Sequence, residues 1–244
     1  TILFVGSVRC VIRDSIKLSH DGDTTDINLP GLMVPAGIGA ALADRLEALA
    51  VPGGVVLLAG SLPAGIAPGY YATLIARLAA RGVRVLLDSS GAPLRTGLGG
   101  AVKPFAIKPN RAELEELTGR VLADDAALLA AAGELNAGGV ELVVISLGAE
   151  GALFVTARQA VHAGLPPLRV VSSVGAGDAM MAGIIAALRD GAGLERIARL
   201  GTAFAAAKLS RAGANLPPRQ EVEALAKQVV VKDLTKMEAE GKSV

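Results

Sequence analysis

Four short apolar runs alternate with helix-length segments through the middle of this chain: VVLLAG (55–60), VRVLLD (83–88), FAIKPN (105–110) and ELVVISL (141–147). Strands buried on both faces read as continuous aliphatic runs, and an intervening helix returns the chain to start the next strand in the same direction. The pattern predicts an α/β fold, a mostly parallel sheet with helices on both faces. Helices are expected over 41–50, 70–81, 91–98, from 112, over 124–137, from the glycine turn near 175 to about 190, and over 194–210 and 220–229. GALFVT (151–156) and QAVHA (159–163) read as an antiparallel pair. Nearer the start, 1–5 and 8–18 read as strands, 20–23 as a polar turn and 24–40 as irregular.

The 244 residues suffice for one domain with a substantial core. Hydrophobic residues make up 52% but aromatics only 2%, so that core must be aliphatic and alanine-rich. A net charge of +1 gives no basis for binding nucleic acid or a charged membrane. The apolar runs are broken before the roughly 20 residues a membrane span needs. Cys10 is the one cysteine, which excludes an internal disulfide, and His20 and His162 fit no ligand spacing. No signal-peptide pattern occurs, and a cytoplasmic location is expected.

Sheets of this class bind ligands beyond the carboxyl ends of their strands. Ser61, Asp88, Lys108, Asn110, Ser146 and Gly148 all fall at that edge of the expected sheet. So does the turn in VSSVGAGDAMMAG (171–183), where a strand runs through Gly175-Ala176-Gly177-Asp178 straight into a helix. Its glycines let several N–H groups converge at a helix N-terminus, which makes an anion hole. Asp178 beside it suits a base that deprotonates an attacking hydroxyl. Each feature also has a plainer reading. Gly175–Asp178 can be a glycine turn with a helix-capping Asp. Asn110 with Glu113 makes an N-cap and capping box. Lys108 can be a surface lysine, 146–151 a hairpin turn, and Asp88 a cap for the next helix. No G-x-x-x-x-G-K-[ST] occurs, which excludes a P-loop, and no G-x-G-x-x-G follows an early strand, which disfavours a dinucleotide-dependent oxidoreductase.

FAIKPNRAELEELTGR (105–120), VVISLGAEGAL (143–153) and VVSSVGAGDAMMAG (170–183), in this order, resemble the phosphofructokinase B branch of the ribokinase-like carbohydrate kinases. GSLPAG (60–65), LLDSSGAPL (86–94) and TTDINLPG (24–31) narrow the resemblance to the 1-phosphofructokinase subfamily, with tagatose-6-phosphate kinases close by. The resemblance implies a ribokinase-like kinase domain over 31–231 and remnant lid strands over 1–30, and residues 232–244 read as a charged, mobile tail. It implies transfer of the ATP γ-phosphoryl group to fructose 1-phosphate with Mg²⁺ present. Tagatose 6-phosphate or fructose 6-phosphate are alternative acceptors, and nucleotide binding without catalysis is the other reading. Asp178 matches the family's base, and Gly175, Ala176 and Gly177 its anion hole. Lys108, Asn110, Ser146, Gly148 and Gly151 match nucleotide contacts, and Glu113 and Asp88 match carboxylates near the metal. Ser61, and Arg13 in IRDSIKL (12–18), match contacts to the sugar phosphate; an arginine suits that role because it is always charged and binds bidentately. Ile12 and Ser15 replace the Thr and Asn of the family's strand motif. The family's first βα units, its sugar-binding Asp and its G-K-G-x-N segment do not occur in these residues. A homodimer through the lid strands is implied as well.

Overall fold

A computed structural model describes residues 2–5, 15–20, 23–28, 33–166, 170–171, 174–211 and 218–235. Its strands are β1 (Ile2–Val5), β2 (Ser15–His20), β3 (Asp23–Asn28), β4 (Val55–Ala59), β5 (Arg84–Asp88), β6 (Ala106–Ile107), β7 (Leu142–Ser146), β8 (Ala152–Val155), β9 (Ala160–Gly164) and β10 (Val230–Asp233). The helices are α1 (Ile38–Leu49), α2 (Tyr70–Ala79), α3 (Gly91–Gly99), α4 (Arg111–Thr118), α5 (Asp125–Ala137), α6 (Ala176–Arg189), α7 (Leu194–Leu209) and α8 (Arg219–Gln228). Eight strands form one sheet in the order β1-β4-β5-β6-β7-β8-β9-β10. The first five run parallel, and β8, β9 and β10 follow antiparallel.

The aliphatic runs are continuous because alternate residues serve opposite layers. Val56, Leu58, Val85, Leu87, Val143 and Ile145 face a core shared with Leu74, Ile75, Leu78 and Leu128 of α2 and α5. Val55, Leu57, Leu86, Leu142 and Val144 face the other core, with Met181, Ile184 and Ile185 of α6 and Ala198 and Ala203 of α7. The α6–α7 contact is close because Gly183 has no side chain: a Cβ there would lie 2.5 Å from the Leu200 carbonyl oxygen. With so few aromatics, close helix approach through glycine and alanine replaces bulk.

Three expectations change. Residues 2–5 do not join lid strands; β1 pairs in parallel with β4, Ile2 opposite Val55 and Val5 opposite Leu58, and extends the main sheet. Residues 23–28 are not turn and irregular chain but strand β3, antiparallel to β2 in a separate two-stranded sheet. The polar segment DTTDIN carries little strand signal of its own, and the partner strand supplies the pairing. The charged tail does not begin as free chain at 232, since Lys232 and Asp233 lie in β10, paired with His162 and Val161 of β9. Arg13 and Cys10 lie outside the described residues, as do 236–244. Among the described residues no helix is long and apolar enough to cross a membrane.

Candidate active site

The carboxyl ends of β4, β5, β6 and β7 and the amino end of α6 bring most of the singled-out residues to one edge. Backbone bonds join the first two strand ends, the Gly60 N–H donating to the Asp88 carbonyl at 2.9 Å. Buried Ser89 donates its hydroxyl to the Gly60 carbonyl at 2.8 Å. The Tyr71 hydroxyl of α2 lies 3.1 Å from both the Ala59 and Gly60 carbonyls. Burial, then the nearby Tyr70 and Asp88, push the Tyr71 phenol up to about 12, so it remains a donor beneath this loop. Ser61 follows Gly60 and is exposed at the same edge.

Asp88 and Lys108 form the polar centre. The Lys108 Nζ lies 3.1 Å from Asp88 Oδ1, with side-chain exposures of 9% and 16%. Burial holds the Asp88 carboxyl above the usual aspartate range; the Lys108 charge and hydrogen bond pull it down, and the charges of Asp178 and Glu113 push it up again. Lys108 also reaches the glycine turn, since a Cβ on Gly177 would lie 3.1 Å from Nζ and 3.6 Å from Cε. Any side chain there would press on the ammonium. Gly175 caps α6 at φ 79°, ψ 9°, a left-handed conformation that suits glycine, and its carbonyl accepts from the Ala179 N–H at 2.9 Å. The N–H groups of Ala176, Gly177 and Asp178 precede any carbonyl the helix could offer them. Asp178 is exposed in that first turn. A buried ammonium, helix N–H groups without an intrahelical acceptor and an exposed carboxylate thus share one corner, an arrangement suited to holding an anion next to a base.

Asn110 and Glu113 form the full capping box. Asn110 Oδ1 accepts from the Glu113 N–H at 2.9 Å, and Glu113 Oε2 accepts from the Asn110 N–H at 2.8 Å. The plainer reading of that pair is therefore realised, and Glu113 still acts electrostatically on Asp88. Asn110 bridges Ser146 in parallel register, and the Ser146 N–H donates to the Pro109 carbonyl at 3.0 Å. Asn110, Ser146 and Gly148 line one open pocket of ≈ 290 Å³, together with Arg111 and Glu150. Gly151 does not line it. Its φ is 96°, and a Cβ would lie 2.1 Å from the Ala163 carbonyl oxygen, so its glycine is demanded by β9 beneath the loop. Among the described residues no three His, Cys, Asp or Glu side chains converge closely enough to hold a metal by themselves. Asp88 and Glu113 lie close enough to act on each other electrostatically, and Mg²⁺ takes few protein ligands, so these two carboxylates fit it. Sequence reasoning missed Tyr71, Ser89 and a second buried lysine, Lys208 of α7; the one local sign of Lys208 is a charge interrupting the apolar run AFAAAKL.

The pfkB family carbohydrate kinase model matches residues 20–221. The chain belongs to the pfkB family of carbohydrate kinases. Members of this family are phosphotransferases with an alcohol acceptor. The chain is 49% identical over 224 residues to a 1-phosphofructokinase of Xanthomonas campestris pv. campestris, covering 90% of this chain and 70% of that protein. It is 46% identical over 225 residues to a 1-phosphofructokinase of Rhodobacter capsulatus, covering 91% and 71%. The fold resembles Phosphofructokinase-2 from Escherichia coli, solved in complex with potassium, at a TM-score of 0.78 and 29% identity, covering 84% of this chain and 66% of that one. The chain thus spans about two-thirds of the length of these pfkB relatives.

Proposed function

We propose that this chain transfers the γ-phosphoryl group of ATP to the free primary hydroxyl of fructose 1-phosphate, giving fructose 1,6-bisphosphate and ADP. The observation that carries the reading is the Lys108 ammonium, paired with Asp88 and set against Gly177 where α6 begins. The names of the two 1-phosphofructokinases described above support the acceptor. Asp178 takes the proton as the hydroxyl oxygen bonds to the γ-phosphorus and the bond to the β-phosphate oxygen breaks. Gly175, Ala176 and Gly177 donate N–H groups to the transferring group. Such transfers depend mainly on positioning and charge stabilisation, which is what a preorganised hole and a fixed lysine supply. Asn110, Ser146 and Gly148 line the nucleotide pocket. Arg13 and Ser61 hold the sugar phosphate. Asp88 and Glu113 would hold Mg²⁺, whose chemistry there is to neutralise phosphate charge. β2 and β3 pair only with each other among the described residues, leaving strand edges through which a homodimer would form.

Mg²⁺-dependent ADP release, with fructose 1-phosphate, fructose 6-phosphate and tagatose 6-phosphate offered separately, tests this. Turnover with fructose 1-phosphate that disappears in Asp178→Ala is expected. Turnover confined to another sugar phosphate would reassign the acceptor. A folded chain that binds ATP and turns over none of them would be a nucleotide-binding protein instead.

A further inference from the structure

Lys208 is deeply buried, at 4% exposure against 8% for Lys108. Its Nζ donates to the Arg211 carbonyl at 3.3 Å, and among the described residues it forms no ion pair. It sits in the last turn of α7, where the helix dipole favours a cation. A lysine serving only that purpose would keep its head in water, because burying an unpaired ammonium is costly. Its surroundings suggest what offsets the cost. Among the described residues a Cβ built on Gly175 meets one heavy atom within 4 Å, the Lys208 Cε at 3.5 Å. The segment leading into the turn is tied to the same helix end, the Val171 N–H donating to the Leu209 carbonyl at 2.7 Å. Two lysines therefore flank the Gly175–Gly177 turn, Lys108 at Gly177 and Lys208 at Gly175.

We infer that Lys208 is a positioning residue of the anion hole, its buried ammonium biasing the turn toward a transferring phosphoryl group whose negative charge completes its coordination. This rests on the kinase reading above. An anchor for the end of α7 would act on stability and be blind to the ligand. A charge behind the turn acts instead on the group held there, the terminal phosphate of a triphosphate, and much less on a diphosphate that lacks it.

The test is calorimetric titration of the full chain with Mg²⁺ and either a non-hydrolysable β,γ-imido ATP analogue or ADP, for wild type, Lys208→Met and Lys208→Arg. In Lys208→Met the analogue is expected to weaken about tenfold more than ADP, equivalent to about 1.4 kcal/mol. Lys208→Arg should keep the preference, and ligand-free thermal stability of Lys208→Met should be unchanged or raised, since a buried charge with no ion-pair partner among the described residues has gone. Lys208→Gln, polar and shorter, makes the same comparison if the methionine variant does not fold. Equal weakening of both nucleotides, or no change, with a wild type that binds them, would overturn this role while leaving the kinase reading intact. A wild type that binds neither nucleotide overturns the reading and this inference together.

Discussion

Lys108→Met removes an ammonium and keeps most of the apolar stem, leaving Asp88 as a carboxylate with a side chain only 16% exposed. The Asp178 and Glu113 charges near it both disfavour ionisation. Breaking a buried pair from one side costs about 3–5 kcal/mol. Protonation sets a ceiling: neutralising an aspartate of ordinary pKa 3.8 at pH 7 costs about 4.4 kcal/mol at about 1.36 kcal/mol per unit. The expected loss at pH 7 is therefore about 3–4 kcal/mol. Its pH dependence has a definite sign. Without Lys108 the Asp88 carboxyl is raised further above its unfolded value, so between the two values the folded state binds more protons than the unfolded one, and stability falls as pH rises. Lowering the pH from 7 to 5 should shrink the gap to wild type by up to about 2.7 kcal/mol, two units at about 1.36 kcal/mol each. Urea unfolding of both proteins at the two pH values reads this directly. Adding Asp88→Asn to the variant should recover most of the pH 7 loss. A deficit of equal size at both pH values, or one below about 1 kcal/mol at pH 7, would show that Lys108 contributes packing and not a buried countercharge.

Gly151→Ala should destabilise by at least about 2 kcal/mol in thermal or urea unfolding, because φ is 96° and the new Cβ would lie 2.1 Å from the Ala163 carbonyl oxygen. A near-wild-type variant would mean that the loop moves freely away from β9. Tyr71→Phe should cost about 1 kcal/mol, since it removes the donor to the Ala59 and Gly60 carbonyls while Ser89 still serves Gly60. A loss above about 3 kcal/mol in the same assay would point to a larger polar network than these bonds account for.

Much of this protein was legible in its residues one segment at a time. The aliphatic runs marked β4, β5 and β7, because strands buried on both faces need no alternation. Asn110 with Glu113 marked the start of α4, and Gly-Ala-Gly-Asp the start of α6, because caps and turns are made by residues within a few positions of one another. Expectations failed where pairing was supplied from a distance. The polar DTTDIN becomes a strand against β2, β1, itself legible as a strand, adds to β4, and β10 adds to β9, and none of these pairings is announced by its own segment. The glycines divided in the same way. Gly175 could be assigned to its turn from its neighbours, whereas the demand on Gly151 comes from the Ala163 carbonyl of another strand. The residue types of the candidate site were likewise set by sequence, as a list of polar side chains after strands. Only the tertiary structure turned Lys108 toward both Asp88 and Gly177 and buried Lys208 behind Gly175. The partners of a buried charge are chosen by which elements pack together, and its burial is tolerated only when those partners, distant in the chain, are in place.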